Sequence, residues 1–150
     1  MPSTPSLVSR LITDFPDLHF SVGSTTLWEP STKTIRYHPQ YEAAELLHEL
    51  GHALLGHSDY RRDIVLLGYE RDAWQEALRL SSQYDVVIDQ ATVQSHLDTY
   101  RDWLHTRSAC PACQANGVQL SVSVYQCLSC HTKWKVNEAR TAALRRQTIK

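Results

Sequence analysis

Hydrophobic and polar positions along this chain alternate in two distinct rhythms. Residues 6–14, SLVSRLITD, predict a short helix closed by Phe15-Pro16. Thr26-Leu27-Trp28 and Thr34-Ile35-Arg36-Tyr37 are β-branched or aromatic runs separated by Glu29-Pro30-Ser31-Thr32-Lys33, and together they predict a β-hairpin. Pro39 ends the second strand. A helix then runs over about 41–55, with Ala44, Leu47, Ala53 and Leu54 as apolar contacts and Gly56 as its stop. A second long helix is expected over about 64–84 and a third over about 89–105. In the third, Val93, Leu97, Tyr100 and Leu104 recur at spacings of three and four, as a buried stripe requires. Beyond Arg107 the rhythm shortens to strand-like runs, LSVSVYQ and WKV, set between cysteine pairs.

These elements predict an α+β protein: a helical domain with a small antiparallel β-sheet over residues 1–107, then a small β-rich module over 108–136. A basic C-terminal tail, 137–150, follows, and a solvated helix is as good a reading of it as phosphate contact.

Composition narrows the class without choosing a function. With 42% hydrophobic and 21% charged residues in 150, the chain matches a soluble globular protein and excludes a collagen, a coiled coil or a disordered segment. The opening MPSTPSLVSRLITDF lacks a basic stretch followed by an apolar one, so no secretory signal is expected. No apolar run approaches the roughly 20 residues needed to span a bilayer. A cytoplasmic location with no membrane partner is the expectation. The formal net charge of −1 hides an asymmetry. Six basic residues against Glu138 lie between Lys133 and Lys150, leaving the rest acidic. A near-neutral total argues against a nucleic-acid coat, while the basic end leaves local phosphate contact open.

The chemistry begins at Leu46-Leu47-His48-Glu49-Leu50-Gly51-His52, an H-E-x-x-H sequence on a predicted helix. Residues four apart lie about 40° apart around the axis and one turn along it, so His48 and His52 can aim at one ion. Glu49 sits beside them as general base for water that zinc would activate. A catalytic zinc usually takes a third protein ligand. His57 lies about 180° round the same helix from His48 and points away unless the helix breaks at Gly56. Glu70 is preferred. It shares a face with Ala73 and Ala77, whose small side chains would let the second helix come close to the first. Asp59 and Asp63 are weaker rivals, and Asp72 and Glu76 are expected in solvent. For the other histidines, His19, His38, His96 and His105, structural or surface roles are expected. A donor to a developing oxyanion would come from Tyr69, Tyr84 or His96, and Leu27–Trp28 or Thr34–Tyr37 could offer a substrate-pairing edge.

LLHELGHALLGH followed by GYERDAWQEAL resembles the ImmA/IrrE metallopeptidase family over about residues 5–105. The resemblance implies a zincin-like, gluzincin-type fold. It carries the ligand histidines onto His48 and His52, the catalytic glutamate onto Glu49 and the third ligand onto Glu70. It also implies a protein substrate, since characterised members cut a DNA-binding repressor. This chain departs from the pattern in having no helix-turn-helix and in ending with a cysteine module.

That module, Cys110-Pro-Ala-Cys113, thirteen residues, then Cys127-Leu-Ser-Cys130, has the spacing of a zinc ribbon: four thiolates closing a tetrahedral structural site. Two Zn2+ per chain are therefore expected, one catalytic and one structural. The ribbon and basic tail, with Lys133-Trp134-Lys135 and Arg140, Arg145, Arg146 and Lys150, are candidates for nucleic-acid or protein contact. Two further readings stay open. The chain also resembles SprT-type DNA-associated proteases, which pair H-E-x-x-H with a C-terminal ribbon, and a non-catalytic scaffold carrying a ribbon interaction module fits the same sequence.

Overall fold

The computed structural model describes residues 3–139 and 143–150, so Arg140 of the basic tail lies outside the described residues. Among the described residues, four helices and two small sheets give an α+β protein that divides into two compact units.

The first unit holds the described residues of Met1–Ser58 with Tyr69–Gln90. Its first helix, α1 (Leu7–Asp14), is capped by the Ser6 side chain, which accepts from the Ser9 amide, and buries Leu11 completely. Strands β1 (His19–Val22), β2 (Leu27–Glu29) and β3 (Thr34–Tyr37) form a sheet in the order β1-β3-β2. The expected hairpin is present: β2 pairs antiparallel with β3, Trp28 opposite Ile35. Its turn is a single 3-10 turn, Pro30–Thr32, followed by Lys33 in the left-handed region at φ 49°. The sheet is mixed, because β1 pairs parallel with β3. Side-chain alternation does not say which of the hairpin's two free edges a third strand will take, and β1 takes that of β3.

Helix α2 (Ala43–Leu54) buries Leu46, Leu47 and Leu50 completely. Leu54, expected inside, is 38% exposed, because the buried face also carries His48, Gly51 and His52 and so turns Leu54 outward. The helix ends where expected. Gly56 adopts φ 68°, its amide bonds to the Ala53 carbonyl, and the His57 amide bonds back to the His52 carbonyl at 3.0 Å. This is a Schellman ending, and it needs the residue without a side chain. Helix α3 (Asp63–Ser81) contributes Glu70, Ala73, Trp74, Ala77 and Leu80 to this unit's interior. After it, Tyr84 donates its hydroxyl to Asp14 at 2.6 Å, and Arg10 donates to the Tyr84 carbonyl, fastening α1 to the end of α3.

The second unit holds Asp59–Gly68 with the described residues of Ala91–Lys150. In helix α4 (Gln90–Ser108) the expected stripe buries Val93 and Leu97, then continues through Trp103 and Arg107, leaving Tyr100 and Leu104 at its margin. An antiparallel sheet follows, built from β4 (Gly117–Ser121), β5 (Val124–Cys127), β6 (Lys133–Val136) and β7 (Arg146–Ile149) in that order. Strand β7 corrects the reading of the C-terminus as a helix: Trp134 pairs opposite Thr148 and Val136 opposite Arg146. Basic composition masked the Gln147-Thr148-Ile149 run that fits a sheet edge. Cys110, Tyr125, Cys127, Trp134 and Val136 form the core. Beside it lies a buried charged cluster. Arg107 donates to Asp63 at 2.6 Å, the Tyr125 hydroxyl donates to the same carboxylate at 2.6 Å, and the Trp134 indole donates to the Arg107 carbonyl.

Among the described residues, no helix is long and apolar enough to cross a membrane.

Candidate metal centres

The first site is built by one close helix approach. Gly51 lets α3 lie against α2, and the fully buried Ala73 and Ala77 complete the narrow seam. Glu70, three residues before Ala73 and only 6% exposed, is thereby carried to the histidines. Its carboxylate lies 2.9 Å from His48 Nε2 and 3.2 Å from His52 Nε2, and the two nitrogens are 3.1 Å apart. In a tetrahedral zinc site with bonds of about 2.0 Å, neighbouring ligand atoms stand about 3.3 Å apart. The three edges of this triangle, the two to Glu70 falling on its separate oxygens Oε2 and Oε1, are slightly shorter than that. The donor set also suits a cation: two imidazole nitrogens and a carboxylate meet at one buried point. Trp74 stacks on the His48 ring at 4.2 Å and holds its plane.

Glu49 lies beside the pair, its carboxylate within 4.8 Å of both imidazoles. Its Oε2 accepts from the main-chain amide of Trp28 at 2.8 Å. Burial pushes its carboxyl up to about 7, against the pull of His52 and the Trp28 amide. That amide was not legible in the sequence. It exists because β2 is the sheet edge next to α2. The alternative edge, Thr34–Tyr37, is corrected: β3 is paired on both sides and has no free edge.

His57 does not face the triangle. The break at Gly56 brings it instead to the opposite side of His52, with Nδ1 to Nδ1 at 2.9 Å. Its burial, with the neighbouring His52, holds His57 below the usual imidazole range. Asp63 is corrected as a rival ligand, since it is paired with Arg107. Asp72 and Glu76 pair with Arg71 and Arg79; the Asp72 side chain is 41% exposed, whereas Glu76, expected in solvent, is only 18% exposed. Tyr84 is removed from the oxyanion candidates by its bond to Asp14, which together with burial raises its hydroxyl to about 12. Tyr69 stacks on His57.

The second site gathers all four predicted cysteines. Cys110 and Cys130 sulfurs are 3.6 Å apart and those of Cys113 and Cys127 3.5 Å, too far for disulfides and close to the spacing around a tetrahedral metal. The two knuckles repeat each other. Amides of Ala112 and Ser129 donate to the first sulfur of each, and the residue after each second cysteine, Gln114 or His131, turns left-handed at φ 67° and 65°. Hydrogen bonds from the Thr132 side chain and backbone lower the Cys130 thiol to about 6, which favours the thiolate a metal needs. Both clusters could hold a metal ion.

No family model, curated protein or solved structure matches this chain.

Proposed function

We propose that this chain is a zinc-dependent metalloendopeptidase of ImmA/IrrE type, acting on an extended segment of a protein. One observation carries the reading: His48, His52 and Glu70 converge to edges of 2.9–3.2 Å while the Glu49 carboxylate waits beside them on a main-chain amide. Zinc bound there supplies Lewis acidity, making water nucleophilic near neutral pH and polarising a carbonyl.

Everything else falls to the protein. Glu49 takes the proton of the attacking water, with Oε2 fixed by Trp28 and Oε1 left to move the proton on to the departing amine. Its burial makes it a better base once ionised than an exposed carboxylate. In a strand, the N–H and C=O of one residue point the same way. The Trp28 carbonyl therefore shares the open edge of β2 with its amide and can accept from the main chain of an extended substrate. The four cysteines would hold the second, structural zinc.

The test counts zinc by native mass spectrometry, then assays cleavage of a pool of quenched-fluorescence peptides. Two zinc ions in the unaltered chain and one in the His48→Ala/His52→Ala variant are expected. Glu49→Gln should keep both ions and lose about 100- to 10,000-fold in rate. An unaltered chain holding a single zinc sinks the reading. Full biological effect from Glu49→Gln would favour the scaffold reading instead.

One observation favours the DNA-associated, SprT-like alternative: Lys133 and Lys135 are exposed on one face of β6. If that reading is correct, single-stranded DNA accelerates cleavage and Lys133→Glu/Lys135→Glu abolishes the acceleration.

A further inference from the structure

His52 is bracketed by two different demands on its two ring nitrogens. Nε2 faces His48 and Glu70 at 3.1 and 3.2 Å, while Nδ1 faces His57 Nδ1 at 2.9 Å. An imidazole that offers a lone pair from Nε2 carries its proton on Nδ1. That proton then has one place to go, the Nδ1 lone pair of His57. His57 must accordingly be the opposite tautomer, protonated on Nε2.

Nothing in this arrangement is left loose. The left-handed turn at Gly56 and the bond from the His57 amide to the His52 carbonyl swing the His57 ring back onto its neighbour. The Trp28 indole donates to the His57 carbonyl at 2.9 Å, so the strand that fixes Glu49 also fixes this turn. The Tyr69 ring stacks on the His57 imidazole at 4.2 Å with only 15° between planes. His57 itself is 9% exposed. A residue there as mere filler would not require its nitrogen to be aimed and caged.

We propose that His57 is a positioning residue for the metal centre: it accepts the Nδ1 proton of His52, locking that ring in the tautomer and orientation that directs Nε2 at the ion. This rests on the metal-centre reading above. Metal-bound histidines commonly hand their second nitrogen to a carboxylate or a carbonyl, and losing that partner costs 10- to 100-fold in affinity. A neutral imidazole in the same role leaves the centre's charge unaltered, with Glu70 as its one anionic ligand.

The first experiment needs no variant. Long-range proton–nitrogen NMR of the zinc-loaded chain should find His52 protonated on Nδ1 and His57 on Nε2; a His57 protonated on Nδ1 overturns the proposal. The second uses cobalt on protein whose cysteine site already holds zinc. Affinity is read by chelator competition and geometry by the visible absorption bands. His57→Phe should weaken cobalt binding 10- to 100-fold and alter the bands, whereas His57→Gln, which keeps an acceptor, should stay within about threefold of the unaltered chain. Equal losses in the two variants, or none in either, overturn the proposal, since packing rather than acceptance would then be at work. If the unaltered chain takes up no cobalt beyond the cysteine site, the metal-centre reading itself fails, and this inference fails with it.

Discussion

Gly51 lies so close to Ala73 that a Cβ on the glycine would stand 2.5 Å from the Ala73 carbonyl oxygen and 3.2 Å from its Cα. The obstruction is main chain, which cannot rotate away. Gly51→Ala must therefore push α3 outward, and overpacking of this kind costs about 1–3 kcal/mol. Glu70 rides on the same helix one turn earlier and would leave the histidines with it. The variant should lower the thermal midpoint and weaken metal binding at the histidine site, read by chelator competition. A second change, Ala73→Gly, should not rescue it. Rescue would mean that the alanine side chain, and not the backbone, sets the approach.

Burial of Glu49 makes a prediction for the metal-free protein. Its carboxyl is pushed up to about 7 in the folded state against an ordinary value near 4.5. A raised carboxyl pKa means the folded state prefers the protonated form, so folding is favoured at low pH and that advantage is lost as pH rises from about 4.5 through 7. Glu49→Gln removes the buried charge while keeping an acceptor for the Trp28 amide. Without metal, the variant should melt higher than the unaltered chain at pH 8, and the gap should close by about pH 4.5. A gap that stays constant with pH would count against a desolvated carboxylate.

Much of this was legible in the sequence, for reasons that separate by residue. The spacing of His48 and His52, the paired cysteines and the small faces of Ala73 and Ala77 are local signals, and helix or knuckle geometry turns them directly into position. Gly56 announced the end of α2, and with it the return of His57, but not that the ring would stop at the far nitrogen of His52. The Trp28 amide on Glu49 was hidden because a main-chain donor carries no side-chain signature. Arg107 was hidden for another reason. Hydropathy assigns arginine to solvent, and its burial is tolerable because the Asp63 carboxylate and the Val122 and Asn137 carbonyls accept from the guanidinium.

That buried pair is a stability prediction for the second unit. Arg107 and Asp63 side chains are nearly inaccessible and 2.6 Å apart, with Tyr125 donating to the same carboxylate. Removing one partner strands the other charge in the interior, at a cost of about 3–5 kcal/mol. Arg107→Met should therefore unfold this unit at markedly lower urea. Arg107→Met/Asp63→Asn, with no charge left to strand, should recover part of the loss. A double variant as unstable as the sum of the single ones would show that the two side chains do not act as a pair.

The cysteine knuckles invite a stabilising change. Gln114 and His131 each follow a second cysteine and sit at φ 67° and 65°, the left-handed region where a Cβ is strained and glycine is not. Their amides bond to the carbonyls of Cys110 and Cys127, so the conformation is required by the knuckle and not optional. Gln114→Gly and His131→Gly should each stabilise the metal-loaded ribbon by up to about 1 kcal/mol, the strain relieved outweighing the freedom gained by the unfolded chain. The measure is the chelator concentration that strips zinc from the cysteines, which should rise in each variant and rise further in both together. Since the sites lie in separate knuckles of one cysteine cluster, the two gains should add. If instead His131→Gly weakens retention, the His131 side chain itself supports the thiolates, and the left-handed turn is not where its contribution lies.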